Sequence, residues 1–287
     1  FVYEPYELFW KPSKKVDPIR VHGEMYTSPA FVEAHQHLQD SPPEPGCDLP
    51  RFITACMFGS DLTHLTSFGD TKLWPCYLFY GNDSQYRRCK PSERTCDHVA
   101  YFQKLPEDFI NFAKSQTGGG KAPNPAFKTF CSRELMHAQL SVLFDDKFIE
   151  AWKHGIVVEC CDGIKRRFYP RIFTYAADYP EKILLAGVRN LGKCPCPRCL
   201  MPMSKAGETG TKKDKKQRVQ NVRRDDAQRR KAVEEARHLI YHKRNQVNSA
   251  AVERILQPKL LVPNISNLAH FVSLCLTCLW SCTTSVA

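Results

Sequence analysis

The sequence predicts an α/β protein built around a mixed β-sheet. Strand-like apolar runs, rich in β-branched and aromatic residues, occur in two groups, within residues 51–105 and 155–177. A helical periodicity lies between the two groups. This order of strands, helix and further strands is the first indication of the fold class, and a cysteine-rich segment follows it at residues 194–199.

The first group is expected to form three antiparallel strands, at residues 51–60, 73–80 and 98–105. Asp61 directly follows the first run, and a polar turn is expected at residues 67–72. The second run stops at Gly81-Asn82, two residue types that favour turns.

Apolar residues then recur at three- and four-residue spacing between positions 136 and 152, which predicts one long amphipathic helix. Three antiparallel strands, a crossover helix and a further strand are the order of a ribonuclease-H-like fold. In that fold the first and fourth strands lie together at the centre of the sheet. Carboxylates at the ends of those two strands are therefore expected to meet.

The second group reads as a β-hairpin. Runs at residues 156–161 and 168–177 flank Asp162-Gly163, a pair that tolerates the positive φ of a tight turn. Asp178 ends the second run, and a short helix is expected at residues 180–188, because Pro180 suits a first-turn position.

We expect four segments along the chain. Residues 1–50 are a proline-rich, irregular connector with one helix near residues 30–38, and residues 51–200 are an incomplete ribonuclease-H-like core that ends in the cysteine cluster. Residues 201–263 are a basic loop and a helical insertion, with helices at residues 222–242 and 249–257. The start of the basic run is expected to be a flexible loop, because nothing apolar anchors it. Residues 264–287 are a divergent tail.

Charge favours an anionic partner. Lys and Arg number 41 against 30 Asp and Glu, a net charge of +11, and nucleic acid is the commonest partner of such a chain. A solvated charged surface is the alternative explanation. The candidate phosphate contacts are Lys165, Arg166, Arg167, Lys212, Lys213, Lys215 and Lys216.

Asp61 and Asp178 are the candidate metal-binding carboxylates. Mg²⁺ and Mn²⁺ prefer oxygen ligands, and metal ions held by carboxylates can activate water or a hydroxyl in phosphoryl transfer. The alternative is that each Asp is simply a residue at a strand end or turn.

Cys194, Cys196 and Cys199 have a spacing that suits a zinc knuckle, with prolines stiffening the loop. The fourth ligand is left open among Cys131, Cys160, Cys161, His238 and His242. Free thiols, or a redox pair at Cys196 and Cys199, are the alternatives. The 14 cysteines are scattered and follow no secretory signal, which favours reduced thiols in the nucleus or cytosol.

No membrane segment is expected. The apolar stretch at residues 271–280 is far shorter than the ~20 residues that a spanning helix requires.

Two long strings carry a family resemblance: GSDLTHLTSFGDTKLWPCYLFYGN and ECCDGIKRRFYPRIFTYAADYPEKILLAGVRNLGKCPCPRCL. They resemble the Plavaka-type transposases of fungal genomes, in the Kyakuja–Dileera–Zisupton group of DDE transposases, over residues 50–267. The resemblance implies that Asp61 and Asp178 are the first two catalytic acids, and that residues 205–263 are the family's helical insertion. It also implies Mg²⁺ or Mn²⁺, transposon-end DNA and a nuclear site of action. A homo-oligomer is a further expected partner.

The chain departs from this family where the third acid is expected. After the segment at residues 260–267 the sequence continues as HFVSLCLTCLWSCTTSVA, which contains no acid. Glu234, Glu235 and Glu253 are the internal substitutes. We therefore expect a transposase fragment that is inactive as written. The alternatives are a non-catalytic DNA- or chromatin-binding protein that retains the fold, and a decayed gene.

Overall fold

The structure is a computed structural model that describes residues 1–64, 72–117 and 120–264. Within this part of the chain, contacts define two compact units. The first contains Phe1–Tyr101 and Leu143–Ala176, and the second contains Phe102–Val142 and the described residues from Ala177 to Asn264. The segment boundaries expected near residues 50, 200 and 263 stay predictions.

The elements follow one another in a mixed order along the chain. The strands are β1 Leu8–Trp10, β2 Ile19–Val21, β3 Arg51–Ser60, β4 Thr63–His64, β5 Lys72–Leu73, β6 Pro75–Tyr80, β7 Cys96–Tyr101, β8 Ile156–Glu159 and β9 Lys165–Ala176. The α-helices are α1 Pro29–Asp40, α2 Gln85–Arg88, α3 Phe109–Ser115, α4 Pro125–Leu143, α5 Asp146–His154, α6 Tyr179–Ala186, α7 Lys212–Gln220, α8 Ala227–Tyr241 and α9 Ala250–Leu256. Short 3₁₀ turns occur at Met25–Thr27, Pro91–Glu93, Met203–Glu208 and Gln257–Lys259.

A five-stranded mixed sheet in the order β7-β6-β3-β9-β8 forms the centre of the first unit. β3 pairs antiparallel with β6, and β6 pairs antiparallel with β7. β3 runs parallel to β9 over a register that ends at Gly59 opposite Ala176. β3 and β9, the strand that precedes Asp178, are thus neighbours at the centre of the sheet, as the sequence predicts. β8 adds an antiparallel edge strand beside β9.

The hairpin prediction is confirmed. β8 and β9 pair antiparallel, with Glu159 opposite Lys165. Gly163 has φ of +75°, a conformation that glycine adopts without a steric penalty. The Asp162 carboxylate accepts the backbone N–H of Ile164 at 3.1 Å, which closes the turn. The paired strand begins three residues earlier than expected, at Lys165.

Helix α1 covers this sheet. Phe31, on α1, is fully buried and its ring stacks on that of Phe173 in β9, with centroids 5.2 Å apart. Ile53, Ala55 and Tyr169 belong to the same apolar cluster. The predicted helix near residues 30–38 is therefore present, and Ser28 caps its start. The N-terminal segment also contains β1 and β2, which the sequence did not indicate.

The prediction of one long helix over residues 136–152 is wrong. Two helices, α4 and α5, cover this stretch instead. Asp145 adopts an extended backbone between them and accepts the N–H of Phe148 at 2.9 Å. Asp145 thus acts as an N-cap, which starts a new helix where the apolar spacing alone would continue the old one.

The prediction of a flexible loop at the start of the basic run is also wrong. Residues 212–220 form α7, with the Thr211 hydroxyl capping its N-terminus. Asp214 on this helix is buried and forms an ion pair with Arg218 at 2.8 Å. The helix is therefore anchored by a polar contact rather than by apolar residues. The lysine-rich composition of the run did not indicate this contact.

The remaining helix predictions hold with shifted ends. α6, α8 and α9 lie within the stretches expected to be helical or start one residue earlier, and Ser249 caps α9 as predicted. α8 and α9 share an apolar cluster that includes Ala236, Val252 and Leu256. Most of the turn expected at residues 67–72, and the tail from residue 265, lie outside the described residues.

Candidate functional site

The central strands β3 and β9 end side by side. Gly59 lies opposite Ala176, and the hydroxyls of their chain neighbours Ser60 and Tyr175 are 2.8 Å apart. The ring of Phe58 packs against that of Phe144, with centroids 5.2 Å apart, so the end of β3 makes an apolar contact. Asp61 follows Gly59 by two residues and is exposed.

Asp178 follows Ala176 by two residues and has a structural role of its own. It is the N-cap of α6, and its Oδ1 atom accepts the backbone N–H of Glu181 at 2.8 Å. The sequence contains the signal for this role, because Asp178 and Glu181 have the spacing of a capping box. The interpretation of Asp178 as a strand-end acid overlooked that signal. Glu181 is itself buried, although the helix start is otherwise exposed.

The described residues contain no group of three or more His, Cys, Asp or Glu side chains arranged to hold a metal ion. Asp178 uses one carboxylate oxygen for its cap, and a helix N-terminus favours negative rather than positive charge. The substitutes considered for a third acid are occupied or exposed. Glu253 forms an ion pair with Arg189 at 2.6 Å, and Glu234 and Glu235 are exposed on α8.

The cysteine loop brings two of its three thiols together. A hydrogen bond from the Cys199 thiol lowers the pKa of Cys196, and the backbone N–H of Arg198 also donates to the Cys196 sulfur at 3.4 Å. The same contact raises the pKa of Cys199, which is buried. The Cys194 thiol instead donates to the carbonyl of Leu200 at 3.2 Å.

Arginines hold the cysteine loop in place. Arg223 donates to the carbonyl oxygens of Cys194 at 2.7 Å and Cys196 at 2.9 Å. Arg218 donates to the Cys199 sulfur at 3.6 Å. The loop also makes a short antiparallel bridge between Cys199 and Val222, just beyond the end of α7. The loop and α7 therefore form one local structure.

Helix α7 presents its lysines to solvent. Lys212, Lys213, Lys215 and Lys216 are exposed, whereas Asp214 between them is buried. The Asp214 carboxylate accepts the backbone N–H of Gly210 at 3.0 Å as well as the guanidinium of Arg218. The one acid of the helix is thus neutralised locally, which leaves a surface of four cations.

The hairpin cations differ in accessibility. Lys165 is exposed. Arg166 donates to both oxygens of Asp162, at 2.8 and 2.7 Å, and its guanidinium lies 4.4 Å from the centre of the Tyr3 ring. Arg167 donates to the carbonyl of His154 at 2.6 Å. Both arginines therefore make internal contacts in this structure, and a phosphate role for them stays a prediction.

Among the helices that the structure describes, none combines the length and apolar character needed to span a bilayer.

Together these features define a mixed α/β protein in which two parallel central strands each precede an aspartate and a cysteine loop supports a basic helix. A family model described as Plavaka transposase matches residues 1–261. The chain belongs to the Plavaka transposase family, and its function is transposase-derived. The family implies DNA binding and the use of a divalent metal. No curated protein and no solved structure matches the chain.

Proposed function

We propose that the chain is a DNA-binding protein derived from a DDE transposase, with a ribonuclease-H-like core whose strand-end acids are Asp61 and Asp178. The parallel pairing of β3 with β9 is the observation that supports this most directly. Each strand is followed, two residues beyond its last pair, by one of the two acids. Two residues span at most about 7 Å, so each carboxylate stays near its own strand end.

The antiparallel run β7-β6-β3 and the parallel neighbour β9 support the ribonuclease-H-like assignment. The antiparallel edge strand β8, which precedes β9 in the chain, is an addition to that order. The transposon-end specificity and the nuclear site of action are proposals that follow from the family. No contact or distance among the described residues bears on either of them.

We further propose that residues 1–287 by themselves do not cleave DNA. The described residues do not complete a divalent-metal site, since Asp178 shares its carboxylate with a helix cap and no third acid joins it. Mg²⁺ or Mn²⁺, when bound, would supply the charge stabilisation for phosphoryl transfer. Asp61 and Asp178 are the side chains expected to hold it.

Incubation of the purified chain with Mn²⁺ and a DNA end substrate tests this proposal. No strand cleavage is expected. Cleavage that disappears in both Asp61→Asn and Asp178→Asn would show that a third ligand exists and that the chain is active. Asp178→Asn is the informative change, because Asn caps helices about as well as Asp and removes only the carboxylate.

DNA affinity is proposed to reside largely in the four lysines of α7. Neutralising phosphates releases counterions, so the affinity should fall steeply with salt and depend little on sequence. The double change Lys215→Gln and Lys216→Gln should reduce the slope of log affinity against log salt by about 0.9 for each phosphate that is no longer neutralised. Lys14→Gln with Lys15→Gln, a matched exposed pair in the first unit, should leave the slope unchanged. Equal slopes in both double variants would exclude α7 as the phosphate-binding surface.

The second candidate function is non-catalytic binding to DNA or chromatin. It is favoured by the exposed lysines of α7 together with the lack of a metal-binding group among the described residues. Calorimetric titration with Mn²⁺ separates the two candidates. Binding that is lost in Asp61→Asn supports the catalytic ancestry of the site, and no binding supports the non-catalytic function.

Zinc at the cysteine loop also remains a proposal. Cys196 and Cys199 face each other as two zinc ligands would, but the groups packed on the loop are the guanidinium groups of Arg218 and Arg223. The described residues contain no group of three or more His, Cys, Asp or Glu side chains placed to hold a metal ion, so a closed tetrahedral zinc site would need further ligands beside Cys196 and Cys199. Metal analysis of the purified protein tests this, with near-stoichiometric zinc that is lost in Cys196→Ser as the supporting result.

A further inference from the structure

The second unit contains a cavity of about 890 Å³. Its walls come from α3, the start of α4, the end of α8 and the loop that leads to α9. Asn124 donates to the side-chain carbonyl of Asn248 at 2.8 Å, which ties this last loop to the start of α4. The volume lies within the range of sites that take small organic groups.

Aromatic rings dominate the cavity wall. Phe109 and Phe127 lie nearly parallel, with centroids 6.3 Å apart and planes 16° from each other. Phe130 is buried and its ring is tilted against that of Tyr241, with centroids 6.3 Å apart and planes 52° from each other. Phe112 and Tyr241, by contrast, are 60% and 52% exposed. The guanidinium of Arg237 lies 4.9 Å from the centre of the Tyr241 ring, and the exposed part of each ring is available to stack on a planar ligand.

The charge of the lining is one-sided. Lys121 and Arg244 line the cavity, and the lining residues that the structure describes include no Asp or Glu. The nearby acid Glu134 is paired with Arg237 at 2.7 Å. Amide side chains of Gln116 and Gln246 add hydrogen-bonding groups to the rim. Aromatic faces, amides and uncompensated cations together match a ligand that is planar, polar at its edge and anionic.

We propose that this cavity, the aromatic cavity, binds an unpaired nucleotide of a DNA strand, with its base on Phe112 and Tyr241 and its phosphate near Lys121 and Arg244. A base inside a duplex has both faces covered by its neighbours, so only an unstacked base can reach these rings. An apolar peptide would also fit the rings, but it would leave both cations without a partner. The inference rests on the proposed function, since it names a DNA feature that the chain recognises.

Three duplexes of one sequence test it: fully paired, with a single bulged adenine, and with an abasic nucleotide at the bulge. Fluorescence anisotropy should show the bulged-adenine duplex binding roughly tenfold more tightly than the abasic one, because base–aromatic stacking supplies the difference. The two bulged duplexes carry the same phosphates, so their comparison isolates the base.

Phe112→Ala and Tyr241→Ala should each abolish most of this preference while leaving binding of the paired duplex unchanged. Tyr241→Phe keeps the ring and should retain the preference. Tyr86→Ala removes an exposed tyrosine in the first unit, 71% exposed, and is the matched control. Arg244→Gln should weaken both bulged duplexes to a similar degree.

Equal affinity for the adenine and abasic bulges would overturn the inference and leave the proposed DNA-binding function intact. A preference that survives both alanine changes would also overturn it. If the unchanged protein bound no duplex at all, the proposed function would fail as well. If an apolar peptide bound the cavity stably and no DNA displaced it, the cavity would be assigned to a protein partner instead.

Discussion

Gly59 lies directly opposite Ala176 where the parallel strands β3 and β9 end. The two residues are 117 positions apart in the chain, yet each is followed two residues later by an aspartate. Parallel pairing requires a long crossover connection, so the same sheet edge collects residues from distant parts of the sequence. The pairing therefore brings the last residues of β3 and β9 to the same edge of the sheet.

Asp178→Ala should destabilise the protein by about 1 kcal/mol, because it removes the N-cap of α6. Asp178→Asn should be nearly neutral, since the amide oxygen can accept the same N–H of Glu181. Urea unfolding of the two variants measures the difference. Asp61→Asn, at an exposed position outside any helix cap, is the control and should not change stability. Equal losses in the Ala and Asn variants would mean that the carboxylate charge, not the cap, matters for folding.

The pKa of Asp162 should be about 2 in the folded protein, because Arg166 donates two hydrogen bonds to its carboxylate. A lowered folded pKa stabilises the hairpin fully above the unfolded value of about 3.9, and the contribution is lost as the pH falls toward 2. An NMR titration of the Asp162 carboxyl carbon measures the midpoint directly. Arg166→Gln should return the midpoint toward 4, and Lys165→Gln should leave it in place. A midpoint near 4 in the unchanged protein would contradict the ion pair.

Arg223→Gln should expose the cysteine loop. Hydrogen bonds from a charged donor contribute about 1.5–3 kcal/mol each, and Arg223 makes two to the loop carbonyls. Opening of the loop should therefore become roughly tenfold more frequent or more. The alkylation rate of Cys199, followed by mass spectrometry, reports this opening because the thiol is buried. Arg224→Gln, at the exposed neighbouring position, should leave the rate unchanged. Similar alkylation rates in both variants would show that the bridge between Cys199 and Val222 is sufficient to keep the cysteine loop closed.

Asn82→Ala should destabilise the first unit by roughly 2–4 kcal/mol. Asn82 is fully buried; it accepts the N–H of Ala55 at 2.8 Å and donates to the carbonyls of Ile53 and Val2, each at 2.9 Å. Truncation leaves these backbone groups buried without a partner. Thermal unfolding should show the loss, whereas Asn111→Ala on the exposed face of α3 should have little effect. A loss below about 0.5 kcal/mol would mean that water replaces the amide.

Local sequence signals predicted the fold where one short segment decides its own structure. Asp162-Gly163 determined the hairpin turn, and Ser249 determined the start of α9. Asp145 is a signal of the same kind, and its N-cap role ends the helix that the apolar spacing alone would continue. In α7 the lysine-rich composition concealed Asp214, whose burial depends on Arg218 and Gly210.

The sequence identified the residues of the candidate site but did not predict how their side chains are arranged. Asp61 and Asp178 were identifiable as acids after strand-like runs, and their family roles stay predictions. The role of Asp178 as a helix cap was readable from its spacing to Glu181. The bond from the Cys194 thiol to Leu200 and the contacts of Arg223 with the loop carbonyls were not readable, because they join residues that only the fold brings together.

The sequence by itself indicated the central strands β3 and β9, the turn at Asp162-Gly163, the N-cap of α9 and the family, because these depend on residues close together in the chain or on the order of residue types. Only the tertiary structure decided that Asp214 is buried while four lysines around it are exposed, and that Phe112 and Tyr241 share one cavity. Each of those outcomes depends on groups that meet across a fold. Their free energies are set by burial and by partners that no local pattern specifies.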